Sequence, residues 1–325
     1  MTTRGGVCCL ALCGLLLARM TLAAPAAQEL EWVAALPVAE MRGGNLSGVT
    51  RCPDGRFWAV SDREDARLYQ LIPHEKSWRA EAHALHLPAP PQDELPFWLR
   101  WLNALLGVVR GDALDFEGIS CDAAGNRYVL SEANVAVAKV LPSGEAAWLP
   151  LPREAIHQAR ERGLLRSLNA LAEGVAVDPS GQRVWLAAER DGRGLLAHTH
   201  TADGWHCAET GCVLLAEAQQ DFSDVAFFDG YLYSLERQAR QVCQREPDSG
   251  NVRRCWSLAA GLGRPELRYD TEHELAEALF LDADGLWIGL DNGSSPLTAR
   301  GRPNASGEAR PMIFYFKAPP EGWGG

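Results

Sequence analysis

The stretch DFEGISCDAAGNRYVLSEAN, Asp115 to Asn134, decides how this chain is read. An apolar run enters a turn carrying Asp, Gly and Asn, and a second apolar run leaves it. This is hairpin chemistry, because Gly and Asn accept the backbone conformations that a tight reversal demands. Acids stand at its entrance, Asp115 and Glu117, and at its exit, Glu132. The start of the first strand and the end of the second lie at the same end of an antiparallel hairpin. These carboxylates are therefore expected together, at the end away from the turn.

The pattern recurs. A near copy, LAEGVAVDPSGQRVWLAAERD, runs from Leu171 to Asp191, and related segments begin at Leu46, Asp221 and Leu275. Their turns, CPDG, DPSG and DADG among them, carry the same chemistry. Each hairpin is followed by a less regular stretch able to supply two outer strands. Four strands in a repeat of about fifty residues is the grammar of a β-propeller. The expected fold is all-β, a propeller of five or six four-stranded blades with one or two short inserted helices. The wide interval between the first and second repeats can hold a sixth blade or an insertion. LEWVAALPV, Leu30 to Val38, is expected to add a strand to the last blade and close the ring, which removes exposed sheet edges.

Two segments depart from the blades. Residues 88–113 are Pro-rich and then strongly apolar, with Trp98, Trp101, Leu102, Leu105 and Leu106. They read as a short helix, either packed on the propeller or serving as a lid or membrane-surface anchor. Residues 153–171 form a clearer amphipathic pattern, with Ile156, Leu164, Leu165 and Leu168 on one side.

Residues 1–26 have the layout of a secretory signal: Arg4, an apolar run from Val7 to Leu17, and Ala24-Pro25-Ala26 as a cleavage site. Residues 27–325 are then one propeller domain, exported to the periplasm or secreted, and expected to be a monomer without a transmembrane segment. Without Arg4 and Arg19 the chain has 29 basic against 42 acidic side chains, a net charge of −13. That argues against nucleic acid, whose phosphates need a basic surface, and is compatible with cation binding. Six cysteines remain once Cys8, Cys9 and Cys13 leave with the signal. An even number in an oxidising compartment points to disulfides. Cys243 and Cys255 can face each other across a hairpin, Cys207 and Cys212 can close a short loop, and Cys52 and Cys121 are left for each other.

The repeated acids converge, blade after blade, on one mouth of the channel. Strand starts give Glu117, Glu173, Asp224 and Glu277; strand ends give Asp62, Glu132, Glu189, Glu236 and Asp291. Arg63, Arg190 and Arg237 follow three of them, and Asn134, Asn169 and Asn292 add neutral polar groups. Crowded, partly desolvated carboxylates raise one another's pKa and need protons, arginines or a metal to coexist. An oxygen-rich set without thiols suits calcium or magnesium. Acid–Arg pairs that tie neighbouring blades together are the competing structural use of the same motif. The chain has no G-x-S-x-G, phosphate-binding loop or dinucleotide fingerprint. His198, His200 and His206 read as ordinary histidines on an exposed strand, and His273 as the histidine nearest the acidic mouth. Three sequons, at Asn45, Asn292 and Asn304, matter only in a eukaryotic host.

The pattern NALAEGVAVDPSG, Asn169 to Gly181, with FEGI before it and GLDN, Gly289 to Asn292, late in the chain, resembles the phytase-like family of secreted propellers. The first repeat departs from the pattern with Ser47 in place of Glu, and the last with Glu277-Ala278 in place of Glu-Gly. The resemblance and the acid ring together imply a metal-dependent phosphoester hydrolase acting on a small anionic substrate. In this reading Glu117, Glu173 and Glu277 hold a divalent cation, calcium or alternatively magnesium. Asp62, Glu132 or Asp291 accepts a proton from water. Arg63, Arg190, Arg237, Asn169 and Asn292 hold the substrate. A non-catalytic periplasmic binding propeller, or a lactonase or esterase of the calcium-propeller type, are the alternatives.

Overall fold

The computed structural model describes residues 27–41, 45–91, 114–167, 171–189, 192–208, 211–217, 221–269, 275–293 and 310–324. The expected signal, most of the apolar 88–113 segment, Asn169, Arg190, His273 and Asn304 lie outside the described residues.

The described chain is all-β apart from two short helices and one 3-10 turn. It opens with β1 (Gln28–Glu29) and β2 (Trp32–Ala39). The first hairpin unit is β3 (Gly48–Arg51), β4 (Phe57–Val60), β5 (Arg67–His74) and β6 (Ser77–Ala84). The second is β7 (Phe116–Cys121), β8 (Arg127–Ser131), β9 (Ala136–Val140) and β10 (Ala146–Trp148). Helix α1 (Glu154–Glu161) precedes the third unit. That unit is β11 (Ala172–Val177), β12 (Arg183–Ala188), β13 (Arg193–Thr201), β14 (Gly204–His206) and β15 (Val213–Glu217). The fourth unit is β16 (Asp224–Phe228), β17 (Tyr231–Glu236), β18 (Gln241–Arg245) and β19 (Val252–Ser257), followed by helix α2 (Ala259–Leu262). The last is β20 (Ala276–Leu281), β21 (Gly285–Leu290) and β22 (Met312–Lys317).

Within each unit successive strands pair antiparallel. β2 pairs antiparallel with β22 and so supplies the outer strand of the last unit. It also runs parallel to β6 of the first unit over two residues, joining the two units into one sheet. The first strands pack side by side in a closed cycle, β3 on β7, β7 on β11, β11 on β16, β16 on β20 and β20 on β3. β3 thus lies directly against β7.

Side-chain alternation explains the cycle. On β12, Val184 and Leu186 join an apolar cluster with Tyr128 and Leu130 of the second unit. Trp185 and Ala187, on the opposite face, join one with Phe222 and Val225 of the fourth. Such strands are covered on both faces, and this is why they read as unbroken apolar runs. Analogous clusters fill the other three junctions. Each fully buried Leu or Phe contributes about 1.5–3 kcal/mol of transfer free energy.

Helix α1 is shorter than the pattern over 153–171 suggests. It buries Ala155, Ile156 and Ala159 and ends where Gly163 (φ 93°) and Leu165 (φ 52°) take left-handed backbone. Leu164 and Leu165 still reach the core, from beyond the helix end. Three disulfides form, Cys52–Cys121, Cys207–Cys212 and Cys243–Cys255. Among the described residues no helix is long and apolar enough to cross a membrane.

Candidate functional site

The acids are placed by a β-bulge repeated from unit to unit. On β7, Phe116 pairs with Ser131 and Gly118 with Leu130, which leaves Glu117 as the extra residue. Glu173 and Glu277 occupy the same bulged position on β11 and β20. A bulge breaks the alternation and re-aims one side chain, and here the re-aimed residue is the acid. The next residue must approach the neighbouring first strand closely. A Cβ on Gly118 would lie 2.9 Å from the Val175 nitrogen, and one on Gly174 would lie 2.6 Å from the Val225 nitrogen. Glu-Gly is thus a unit: the acid turns to the axis and the glycine lets the strands meet.

Counting along the register corrects two assignments. Asp224 pairs with Leu235, as Gly118 pairs with Leu130, so Asp224 occupies the glycine position and Ser223 the acid position. Its carboxylate bridges strands, accepting the N–H of Leu279 (2.7 Å) and of Val225 (2.8 Å). Burial raises its pKa, and those two N–H groups oppose the rise. At the strand ends the acid position falls on Asp62, Glu132, Glu189 and Asp291. In the fourth unit it falls on Arg237, with Glu236 one residue short. One residue of slip turns a side chain to the other face. Glu236 accordingly leaves the mouth and pairs with Arg193 (2.9 Å) and Arg245 (2.7 Å) inside the sheet stack.

Arg237 is the central cation of the mouth. It forms ion pairs with Asp221 (2.7 Å), Glu189 and Glu277. Its side chain is 9% exposed. Burial alone would lower its pKa, and the carboxylates of Glu277, Glu173, Glu189 and Asp221 outweigh that and raise it. A guanidinium held on three sides by carboxylates is their counterion. Arg63 is half exposed and touches Asp62 at 3.1 Å. Asn292 is almost fully buried, and Asn134 donates to the Ser131 hydroxyl at 3.0 Å.

The remaining acids fall into two triads whose oxygens lie within 4.8 Å of one another, Asp62–Asp115–Glu117 and Glu132–Glu173–Glu189. Glu117 and Glu173 thus belong to different sets, and Glu277 joins Arg237 and Asp291 instead of completing a set with them. The second triad is buried throughout, and Glu132 also accepts the Leu171 N–H at 2.9 Å. The first is more open. Asn45 donates to Asp62 at 2.6 Å, and Asp115 holds a left-handed φ of 56°. Such a conformation is costly for a non-glycine residue and is often found at functional sites. Asp115, Asp221 and Asn45 share a register position two residues before the bulge; the sequence places Asp115 at the acidic end of its hairpin but gives Asp221 and Asn45 no part in the mouth. Counting back from the tight Asp229-Gly230 turn, where Phe228 faces Tyr231, is the signal that finds them and Arg237.

Burial, followed by repulsion from Glu173, Asp115, Asp62 and Glu132, raises the Glu117 pKa well above the usual carboxylate range. Glu173 is raised by burial and by Glu132, Glu189 and Glu277, with Arg237 opposing. Glu277 is raised by burial and Asp291, again against Arg237. Asp291 is pushed up to about 6, by burial first and Asp62 second. Among the described residues the mouth therefore has more carboxylates than Arg237 and Arg63 can offset, and their raised pKa values follow.

His198, His200 and His206 lie elsewhere, on the third unit. His198 is buried, contrary to the exposed strand expected, and burial lowers its pKa to about 4, so it stays neutral. His206 faces Thr199 in the register and so lies on the other face of β13 from His198 and His200.

Among curated proteins none matches the chain. Similar solved structures include glutaminyl cyclase of Myxococcus xanthus, with 12% identity over 89% of this chain and 98% of that one and a TM-score of 0.48. The PQQ-bound aldose sugar dehydrogenase of Streptomyces coelicolor shares 10% identity over 91% and 99%, with a TM-score of 0.46. Virginiamycin B lyase of Staphylococcus aureus shares 9% over 89% and 100%, with a TM-score of 0.44. The model of the Phytase-like family, described as the esterase-like activity of phytase, matches residues 42–292, most of the sequence and every acid of the mouth, and the chain belongs to that family.

Proposed function

We propose that this chain is an exported, divalent-cation-dependent phosphoester hydrolase, built as a five-bladed propeller with its active site at the acidic mouth. The blade count rests on five junction clusters and a closed cycle of five first strands. Export rests on the three disulfides together with the leader-like sequence of residues 1–26. One observation carries the activity: bulged and strand-end carboxylates from neighbouring blades gather in one mouth with Arg237 as their central cation.

The donor set fits a hard cation, since among the described residues every candidate ligand is a carboxylate oxygen and none is a thiol or imidazole. Asp62, Asp115 and Glu117 would hold the catalytic ion, because this triad is the more open one. Glu132, Glu173 and Glu189, fully buried, suit an ion that ties blades together. A bound calcium or magnesium supplies Lewis-acid polarisation of a phosphoryl oxygen and a more acidic water.

The chain's own groups do the rest. Asp291, with a pKa of about 6, is ionised near neutral pH and basic enough to take a proton from water. Arg63 extends from the rim and can pair with an anionic substrate, in a role shared by sequence with Arg190 and Asn169. Arg237 keeps Glu277 and Glu189 in place, so that the triads face the axis.

The test is the pair of variants Glu117→Gln and Glu173→Gln, assayed with aryl phosphomonoesters, phosphodiesters and lactones alongside native mass measurement of bound ion. Turnover that chelation removes, and that falls by about 100-fold or more in Glu117→Gln, is expected. Ion binding without turnover on any of these substrates selects a binding propeller, and turnover confined to lactones selects a lactonase.

A further inference from the structure

At the turn end of the first and second units, away from the acidic mouth, lies a cavity of about 620 Å³. Its wall comes from the β3–β4 turn, the β7–β8 turn and the β9–β10 turn. The volume is that of a small-molecule site. Its chemistry is the reverse of the mouth's. Arg56, Arg127 and His83 line it together with Trp58, Leu68 and Val140.

Arg127 is 8% exposed, a rare placement for an arginine, and among the described residues no carboxylate lies within ion-pairing distance of it. Its guanidinium stacks on Trp58 with 4.5 Å to the ring centroid and donates to the Leu141 carbonyl at 2.6 Å. Its Nε has no hydrogen-bond partner. The Nε2 of His83 has none either, and the His83 ring meets Trp58 edge-on at 5.0 Å between centroids. Two polar groups poor in partners therefore flank one indole at a cavity wall. Buried groups of this kind are normally satisfied, and exceptions in a cavity point to a missing acceptor. Burial lowers the Arg127 pKa, with Asp54 opposing, so the charge is held at a cost that an anion would relieve.

We infer that this cavity is a second binding site, for a small organic monoanion that sets a carboxylate against Arg127, His83 and Arg56 and an apolar body against Leu68 and Val140. The charge sum selects a monoanion. Two arginines less Asp54, which already touches Arg56 at 3.5 Å, leave one net positive charge at the wall. A phosphate dianion would be left half compensated. The Cys52–Cys121 disulfide joins the two units at this cavity and holds its walls together.

The test is calorimetric titration of the intact, disulfide-bonded chain with benzoate and with its neutral isostere benzamide. Benzoate is expected to bind at one site about tenfold more tightly than benzamide. Arg127→Lys, which loses the planar fork, and Arg56→Ala, whose 60% exposed side chain can be removed without disturbing the fold, should each weaken benzoate about fivefold or more. Arg63→Ala, which removes the exposed cation of the other end, should leave benzoate unchanged. The inference is overturned if the folded wild-type chain shows no saturable benzoate binding up to roughly 20 mM, a standard free energy weaker than about −2 kcal/mol. It is equally overturned if Arg127→Lys and Arg56→Ala bind as wild type does, or if Arg63→Ala abolishes the signal.

Discussion

Residue by residue, the mouth is an exercise in charge compensation, and Arg237 is its pivot. Removing a single partner from a buried ion network leaves the others uncompensated, which typically costs 3–5 kcal/mol. Arg237→Met is therefore expected to lose about 4 kcal/mol in urea denaturation, since Asp221 and Glu189 are both at most 1% exposed. Asp291 adds a pH dependence whose sign follows from its shift. Its pKa rises from 3.8 to about 6 on folding, so between those values the folded chain binds more protons than the unfolded one. Stability is then greatest at the acid side and falls as pH rises through about 6. The raised Glu117, Glu173 and Glu277 act in the same direction. Chelated protein should show a higher denaturation midpoint at pH 5 than at pH 8, and calcium should restore the midpoint at pH 8 by binding the ionised, folded form.

At the scale of the element, the Glu-Gly bulge fixes where carboxylates go. Gly174→Ala would place a Cβ 2.6–2.7 Å from the backbone of Val225 and Asp224, neither of which can yield without moving a strand. A loss of about 2–3 kcal/mol is expected from overpacking. Gly144→Ala, at φ 92° but with open space around it, should lose only about 1–2 kcal/mol from backbone strain. Denaturation midpoints of the two variants compare the effects. The hairpins themselves were legible because Asp, Gly and Asn at the turns and apolar runs between them carry local information. The bulges were not, because an extra residue leaves no mark in hydrophobic alternation when both faces are covered. That is why the sequence alone aligns Asp224 and Glu236 with the ring. The mouth as a place could be read from the sequence, but its register could not.

For the whole molecule, cross-links weigh by the chain they enclose. Cys52–Cys121 spans 69 residues and Cys207–Cys212 spans 5. Loop-closure entropy assigns about 4 kcal/mol to the first and about 2 kcal/mol to the second. Replacing each pair with alanines and comparing denaturation midpoints should reproduce that order. The same bridge pins the first unit to the second, and β2 ties the first to the last. The strand that completes the final sheet thus precedes the strands of all five units, and its partner β22 follows every other described strand. Most of β2 must therefore wait without its antiparallel partner until residue 317 has been made. The circle can be sealed only once the last unit is made, so a chain truncated before β22 should present an open, adhesive sheet edge and be degraded.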